Sequence, residues 1–210
     1  MTPEALADYL MGDPVPFDPA ALARLEARAG AALPADYCDF LERNRNGGMT
    51  SPSAIEQPGL VTSSGHEIEQ FYAVTGLAAD WDRPGLHNYP VTTLRDWLAE
   101  GGHHDDRVPL HWIVIGGNWS GDQFVLDLSV PGGEVVWFDH ELLFAEEDDP
   151  FPHEDGMARL GQSFTAFVEG LTASPSGAAP PPPTPPPPPP PPPPPSPPTS
   201  RGWWHRFFGG

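Results

Sequence analysis

Residues 112–138 read WIVIGGNWSGDQFVLDLSVPGGEVVWF, and this stretch decides the fold class. Trp112 to Ile115 and Glu134 to Phe138 are β-branched and aromatic, and Gln123 to Leu128 alternates, with Phe124, Leu126 and Leu128 on one side. The breaks between them, around Gly116-Gly117 to Gly121 and at Pro131-Gly132-Gly133, are short glycine turns that leave room for no crossover element. The spacing therefore predicts an antiparallel meander.

On both sides of the meander the apolar period changes from 2 to 3.6. Ser163 opens a segment with Phe164, Phe167, Val168 and Leu171 at i, i+3, i+4 and i+7, the stripe of an amphipathic helix. Near the other end, DPAALARLEARAG has an aspartate cap at Asp18, proline at the first helical position, and Leu22, Leu25 and Ala29 on one face. After Leu33-Pro34, the run ADYCDFLERNRNGG carries Tyr37, Phe40, Leu41 and Asn44 on a helical stripe and stops at Asn46-Gly47-Gly48. Between these helices and the meander, Ile55 to Val61 and Glu67 to Val74 read as strands, and Thr93-x-x-Asp96 caps a short helix through Leu94, Trp97 and Leu98. The expected architecture is α+β, a single domain with an antiparallel-rich sheet packed with N-terminal and C-terminal helices.

Composition separates this body from the C-terminal part of the chain. Of the 31 prolines in 210 residues, 18 fall between Pro175 and Pro198, so the body has an ordinary proline share. Residues 1–19 read as an N-terminal extension, 20–172 as the domain, 173–200 as a disordered Pro-rich spacer, and 201–210 as a basic aromatic C-terminal peptide. Within the spacer, the near-continuous proline run from Pro180 to Pro198 at ~3.1 Å per residue makes a semi-rigid arm of about 60 Å. At its end, Trp203, Trp204, Phe207 and Phe208 with Arg206 have the composition of a docking peptide for a second protein or a weak membrane contact.

No acidic residue follows Glu169, so the body sets 29 acids against 8 of the 10 basic residues, a net of −21, and the chain has no lysine. Such a charge repels phosphate backbones and argues against direct nucleic-acid binding. One cysteine, Cys38, excludes an internal disulfide and a Cys-based zinc site. The first residues carry neither a basic n-region nor an apolar h-region, and no window approaches ~18 uninterrupted apolar residues, which points to a cytoplasmic protein.

The order of these pieces resembles the SUKH superfamily, the cell-wall-assembly-regulator (Smi/Knr-like) domain, in its bacterial form. The matching pieces are Leu33-Pro34 with Tyr37, Phe40, Leu41 and Asn46-Gly47-Gly48; Gly116 and Gly121-Asp122 with the strand ending Leu126-Asp127; Val136 to His140; and Ser163-Phe164 with Phe167 and Leu171. They span residues 20–172, with a long segment from Ser51 to Asp106 and an acidic insertion, EEDDPFPHED from Glu146 to Asp155, departing from the family pattern. The resemblance implies a non-enzymatic domain that binds proteins. Its bacterial members are immunity proteins against toxins, often nucleases, and its fungal members are interaction hubs.

The residues themselves nominate a partner-binding set of Trp119, Asp122, Asp139 and Glu141, because a Trp on a Gly-shaped turn beside carboxylates suits an anchor with acidic flanks. The competing reading folds Trp119 back on the sheet and gives Asp122 the turn amides. His103-His104-Asp105-Asp106 and Asp139-His140-Glu141 with His153 contain metal-ligand types, but without helix-spaced pairs they read as polar loops, so no metal or cofactor is expected. GxSxG, P-loop, GxGxxG and CxxC motifs are all absent, and no catalytic residue is expected. The functional expectation is an immunity protein that neutralises a toxin domain. The alternative is a scaffold whose proline arm presents its aromatic peptide.

Overall fold

The computed structural model describes residues 1–51, 54–60, 68–76, 89–143 and 156–173. The Pro-rich arm, the peptide at 201–210 with its docking candidates Trp203, Trp204, Arg206, Phe207 and Phe208, the acidic insertion and His153 lie outside the described residues.

The chain is α+β. Helices α1 (Pro3–Tyr9), α2 (Pro19–Ala29) and α3 (Ala35–Asp39) precede the short strands β1 (Gly48–Met49), β2 (Ile55–Glu56), β3 (Gln70–Phe71) and β4 (Thr92–Thr93). Helix α4 (Leu94–Glu100) leads to the meander β5 (Trp112–Gly117), β6 (Gln123–Asp127) and β7 (Glu134–Phe138). Then come α5 (His140–Leu143), β8 (Met157–Gly161), α6 (Phe164–Gly170) and β9 (Thr172–Ala173). The main sheet runs β1-β3-β5-β6-β7-β8 with β4 also on β5, every pairing antiparallel, and β2 pairs with β9 in a separate two-stranded sheet.

Capping residues set the helix starts as the sequence predicts. The side chains of Asp18, Thr93 and Ser163 accept from the backbone N–H of Ala20, Asp96 and Ala166 at 2.9, 3.1 and 3.1 Å. The segment after Leu33-Pro34 departs from a plain helix. From Phe40 to Asn44 it widens into a π-turn, closed by the Arg45 N–H on the Phe40 carbonyl at 2.9 Å. Phe40 and Leu41, consecutive in sequence, are both buried there.

Phe124 and Trp137 are cross-strand partners with rings 4.7 Å apart, and Phe167 of α6 lies 5.6 Å from Phe124. Phe164 continues the aromatic layer to Tyr37 at 4.9 Å and Phe40 at 5.1 Å. The alternation predicted for β6 does not extend to burial, because Val125 is as inaccessible as Phe124 and Leu126. A one-sided sheet would expose every second residue; here Val114, Val136 and Phe138 on the other face are buried too. The strands predicted at Ile55 to Val61 and Glu67 to Val74 shrink to two-residue segments, and residues 61–67 lie outside the described set. Composition sets α1 apart with the N-terminal extension, yet Leu6 and Leu10 are core residues and α1 packs on α6. Among the described residues no helix is long and apolar enough to cross a membrane.

Cys38 is half-buried behind four carboxylates. Burial first, then the charges of Glu26, Asp39, Asp36 and Glu42, push its thiol up to about 11. The native protein at pH 8 is expected to react with Ellman's reagent roughly a hundredfold more slowly than the urea-unfolded chain, whose thiol titrates at ~8.5. The same shift leaves stability untouched below the unfolded value and lowers it as pH rises towards 11, since the unfolded chain releases the proton first. Equal labelling rates in the native and unfolded protein would contradict this environment.

Candidate functional site

The β5–β6 turn is built around a closed set of hydrogen bonds between Asn118 and Asp122. The Asn118 N–H donates to the Asp122 carbonyl at 3.1 Å, the Asp122 N–H to Asn118 Oδ1 at 2.9 Å, and Asn118 Nδ2 to Asp122 Oδ2 at 3.2 Å. The turn closes tightly because Gly121 takes φ +105°, a backbone state glycine adopts without strain. The His140 ring also packs where a Cβ at Gly121 would stand, 3.3 Å away.

Asp122 is fully buried, and its Oδ1 accepts the His140 N–H at 3.1 Å while lying 2.8 Å from His140 Nδ1. This ties the β5–β6 turn to the start of α5. Asp139 is buried next to it and accepts the Glu141 N–H at 2.9 Å. From the chain just before β3, Glu69 accepts the Trp119 N–H at 2.5 Å. Gln123 completes the frame, donating to the Gly121 carbonyl and accepting from the Tyr72 hydroxyl, both at 2.8 Å.

Trp119 stands half exposed at the tip of this rigid turn, with 50% of its surface accessible. Of the four residues nominated from the sequence, Trp119 and Glu141 are exposed and Asp122 and Asp139 are buried. Asp122 has no accessible surface and serves the turn it holds, while Asp139, 6% accessible, accepts the Glu141 N–H at the start of α5. Sequence reasoning missed Glu69, whose bond to Trp119 spans fifty positions and leaves no local signal.

The imidazoles and carboxylates sort differently from the two clusters nominated. Asp105 pairs with Arg107 at 2.6 Å and Asp106 with Arg95 at 3.3 Å, so both are engaged by neighbouring cations. Asp139 and His140 gather with Asp122 in place of Glu141, their ligand-type atoms all within 4.8 Å of one another. Within that group the Asp122 oxygens also accept from His140 and Asn118.

Beside the turn lies a cleft of about 340 Å³. Tyr89, Trp97, Glu100, His103, Gly121 and His140 contribute to its walls, joining the end of α4 to the turn and the start of α5. It is the right size for a side chain or a small ligand.

The family model described as SMI1 / KNR4 family (SUKH-1) matches residues 16–170. No curated protein and no solved structure matches the chain.

Proposed function

Because the chain belongs to the SMI1 / KNR4 family (SUKH-1), a family that includes immunity proteins, we propose that it works in the cytoplasm as one, binding a cognate toxin domain and neutralising it. The observation that carries the reading is Trp119: a large apolar side chain, half exposed, on a turn whose backbone is fixed by buried Glu69 and Asp122. An aromatic whose backbone is already held loses less conformational freedom on binding, which suits a hot-spot anchor. Glu141 supplies an exposed carboxylate two positions after the buried Asp139, and the net charge of −19 supplies a long-range field.

A nuclease is the toxin chemistry that fits this field, since a protein that holds phosphates must present a basic surface. Complementary charge of this kind raises association rates by roughly 10- to 1000-fold and weakens with salt. The activity proposed needs no catalytic group on this chain.

The test is coexpression and copurification of the full chain with the products of neighbouring genes, at low and high salt. A toxin-like partner should be captured, its toxicity should fall, and Trp119→Ala should weaken capture by roughly tenfold to thirtyfold. Undiminished toxicity, or a Trp119→Ala protein that captures the toxin unchanged, removes the reading. A neighbourhood without any toxin-like product would instead favour the scaffold alternative.

A further inference from the structure

The cleft next to the Trp119 turn has a lining chemistry opposite to that of a second cavity in the body. The second cavity, of about 200 Å³, is walled by Arg24, Arg28 and Asp96, and the Arg28 guanidinium already holds the Asp96 carboxylate by two bonds of 3.0 and 2.8 Å. That cavity holds two cations and a single carboxylate that is already taken. Among the described residues the larger cleft has no arginine in its walls; it has two aromatic rings, Tyr89 and Trp97, one carboxylate, Glu100, and the imidazoles of His103 and His140.

The protonation pattern of His140 follows from its neighbour. Its Nδ1 lies 2.8 Å from a carboxylate oxygen of Asp122, which is fully buried and sits on the other side of the turn's hydrogen-bond set. A carboxylate accepts and does not donate, so Nδ1 carries the proton, and in the neutral ring Nε2 becomes an acceptor. The buried Asp122 thus gives the cleft an acceptor where an unheld imidazole could present either tautomer. With Glu100, the lining holds two residues with acceptor atoms beside two aromatic residues.

We propose that this cleft receives the guanidinium of an arginine presented by the protein partner, with Trp97 and Tyr89 stacking on its plane and Glu100 and His140 Nε2 accepting its N–H groups. The proposal rests on the partner-binding reading and names the side chain that reading leaves open. Guanidinium suits the cleft better than ammonium because it is planar, weakly hydrated and rich in donors, and stacks on aromatic faces. The net charge of −19 draws such a cation in.

The probe is N-acetyl-arginine-N-methylamide titrated into the full chain labelled with ¹⁵N, with the neutral citrulline counterpart as control. Shifts are expected at the Trp97 indole N–H and at the amides of Gly121 and of Gly101, which also lines the cleft, with citrulline binding at least roughly tenfold more weakly. Glu100→Gln should weaken the arginine probe about threefold to tenfold while leaving the Trp119 signals in place. Equal binding of the two probes makes the cleft a neutral slot and overturns the assignment, as does the absence of cleft shifts up to the probe's solubility limit. Loss of toxin capture in Trp119→Ala together with a silent probe keeps the partner-binding reading and removes this one. Probe binding in a chain that neutralises no toxin does the reverse.

Discussion

Asn46→Asp is expected to destabilise the protein by about 3–5 kcal/mol at pH 7.5, clearly more than the roughly 2–3 kcal/mol of Asn46→Ala. Asn46 is buried, and its side chain joins three separate segments. Its Nδ2 donates to the carbonyls of Val15 at 3.1 Å and Val74 at 3.0 Å, while its Oδ1 accepts the Val74 N–H at 2.8 Å. The alanine variant leaves these backbone groups without that partner in a site with little access to water. The aspartate variant is isosteric but turns a double donor into an acceptor aimed at two carbonyl oxygens, with no cation in the bonding set to offset it. The new carboxyl is therefore held above its unfolded pKa of ~3.9, and the sign of its linkage is fixed. It is least harmful below that pH and increasingly harmful as pH rises through the folded-state value. Urea unfolding of both variants at pH 4 and pH 7.5 reads this directly: the gap between them should narrow at pH 4. An aspartate variant no weaker than the alanine variant at pH 7.5 would show that the amide is not the donor.

The same residue shows what a sequence can reveal. Asn46-Gly47-Gly48 marks the end of a helix by its backbone preferences, and that is where the helix ends. The marking says nothing of Val15 and Val74, which reach Asn46 through tertiary packing. Local rules likewise place the caps Asp18, Thr93 and Ser163 and the three meander strands, because each is determined within a few residues. The π-turn at Phe40–Asn44 escapes them, since the pattern that suits an α-helical stripe also suits a turn one residue wider. Strand β8, Met157–Gly161, escapes because its residues are mostly half-buried at the edge of the sheet and show no alternation. The turn carrying Trp119 is legible as a turn and illegible as a surface, because exposure depends on Glu69 and His140, which arrive from distant parts of the chain. Helix α1 lies in what the sequence reading leaves as an N-terminal extension, because its place in the domain is set by packing against α6, a contact with no local signal.

Asp122→Ala is expected to lower stability by about 3–4 kcal/mol, and the informative quantity is its coupling to His140. The carboxylate is fully buried and serves the turn and α5 together: one oxygen takes the backbone N–H and faces the ring nitrogen of His140, the other takes the amide of Asn118. Removing it takes away the acceptor for three donors. His140→Ala removes one of those donors and should cost about 1–2 kcal/mol by itself. If the pair acts as a unit, the double variant will be less destabilised than the sum by about 1–2 kcal/mol, the size expected for residues sharing one hydrogen-bonded network. Asp122→Asn keeps an acceptor for His140 but turns an amide towards the Asn118 amide, so a loss between zero and that of the alanine variant is expected. Independent effects of Asp122 and His140 would mean that the turn is held by the backbone alone. In that case the Trp119 platform would not depend on Asp122, and toxin capture by Asp122→Ala protein, measured below its unfolding midpoint, would match that of the wild type. Coupled effects predict the opposite, a folded Asp122→Ala protein whose capture weakens although the tryptophan is untouched.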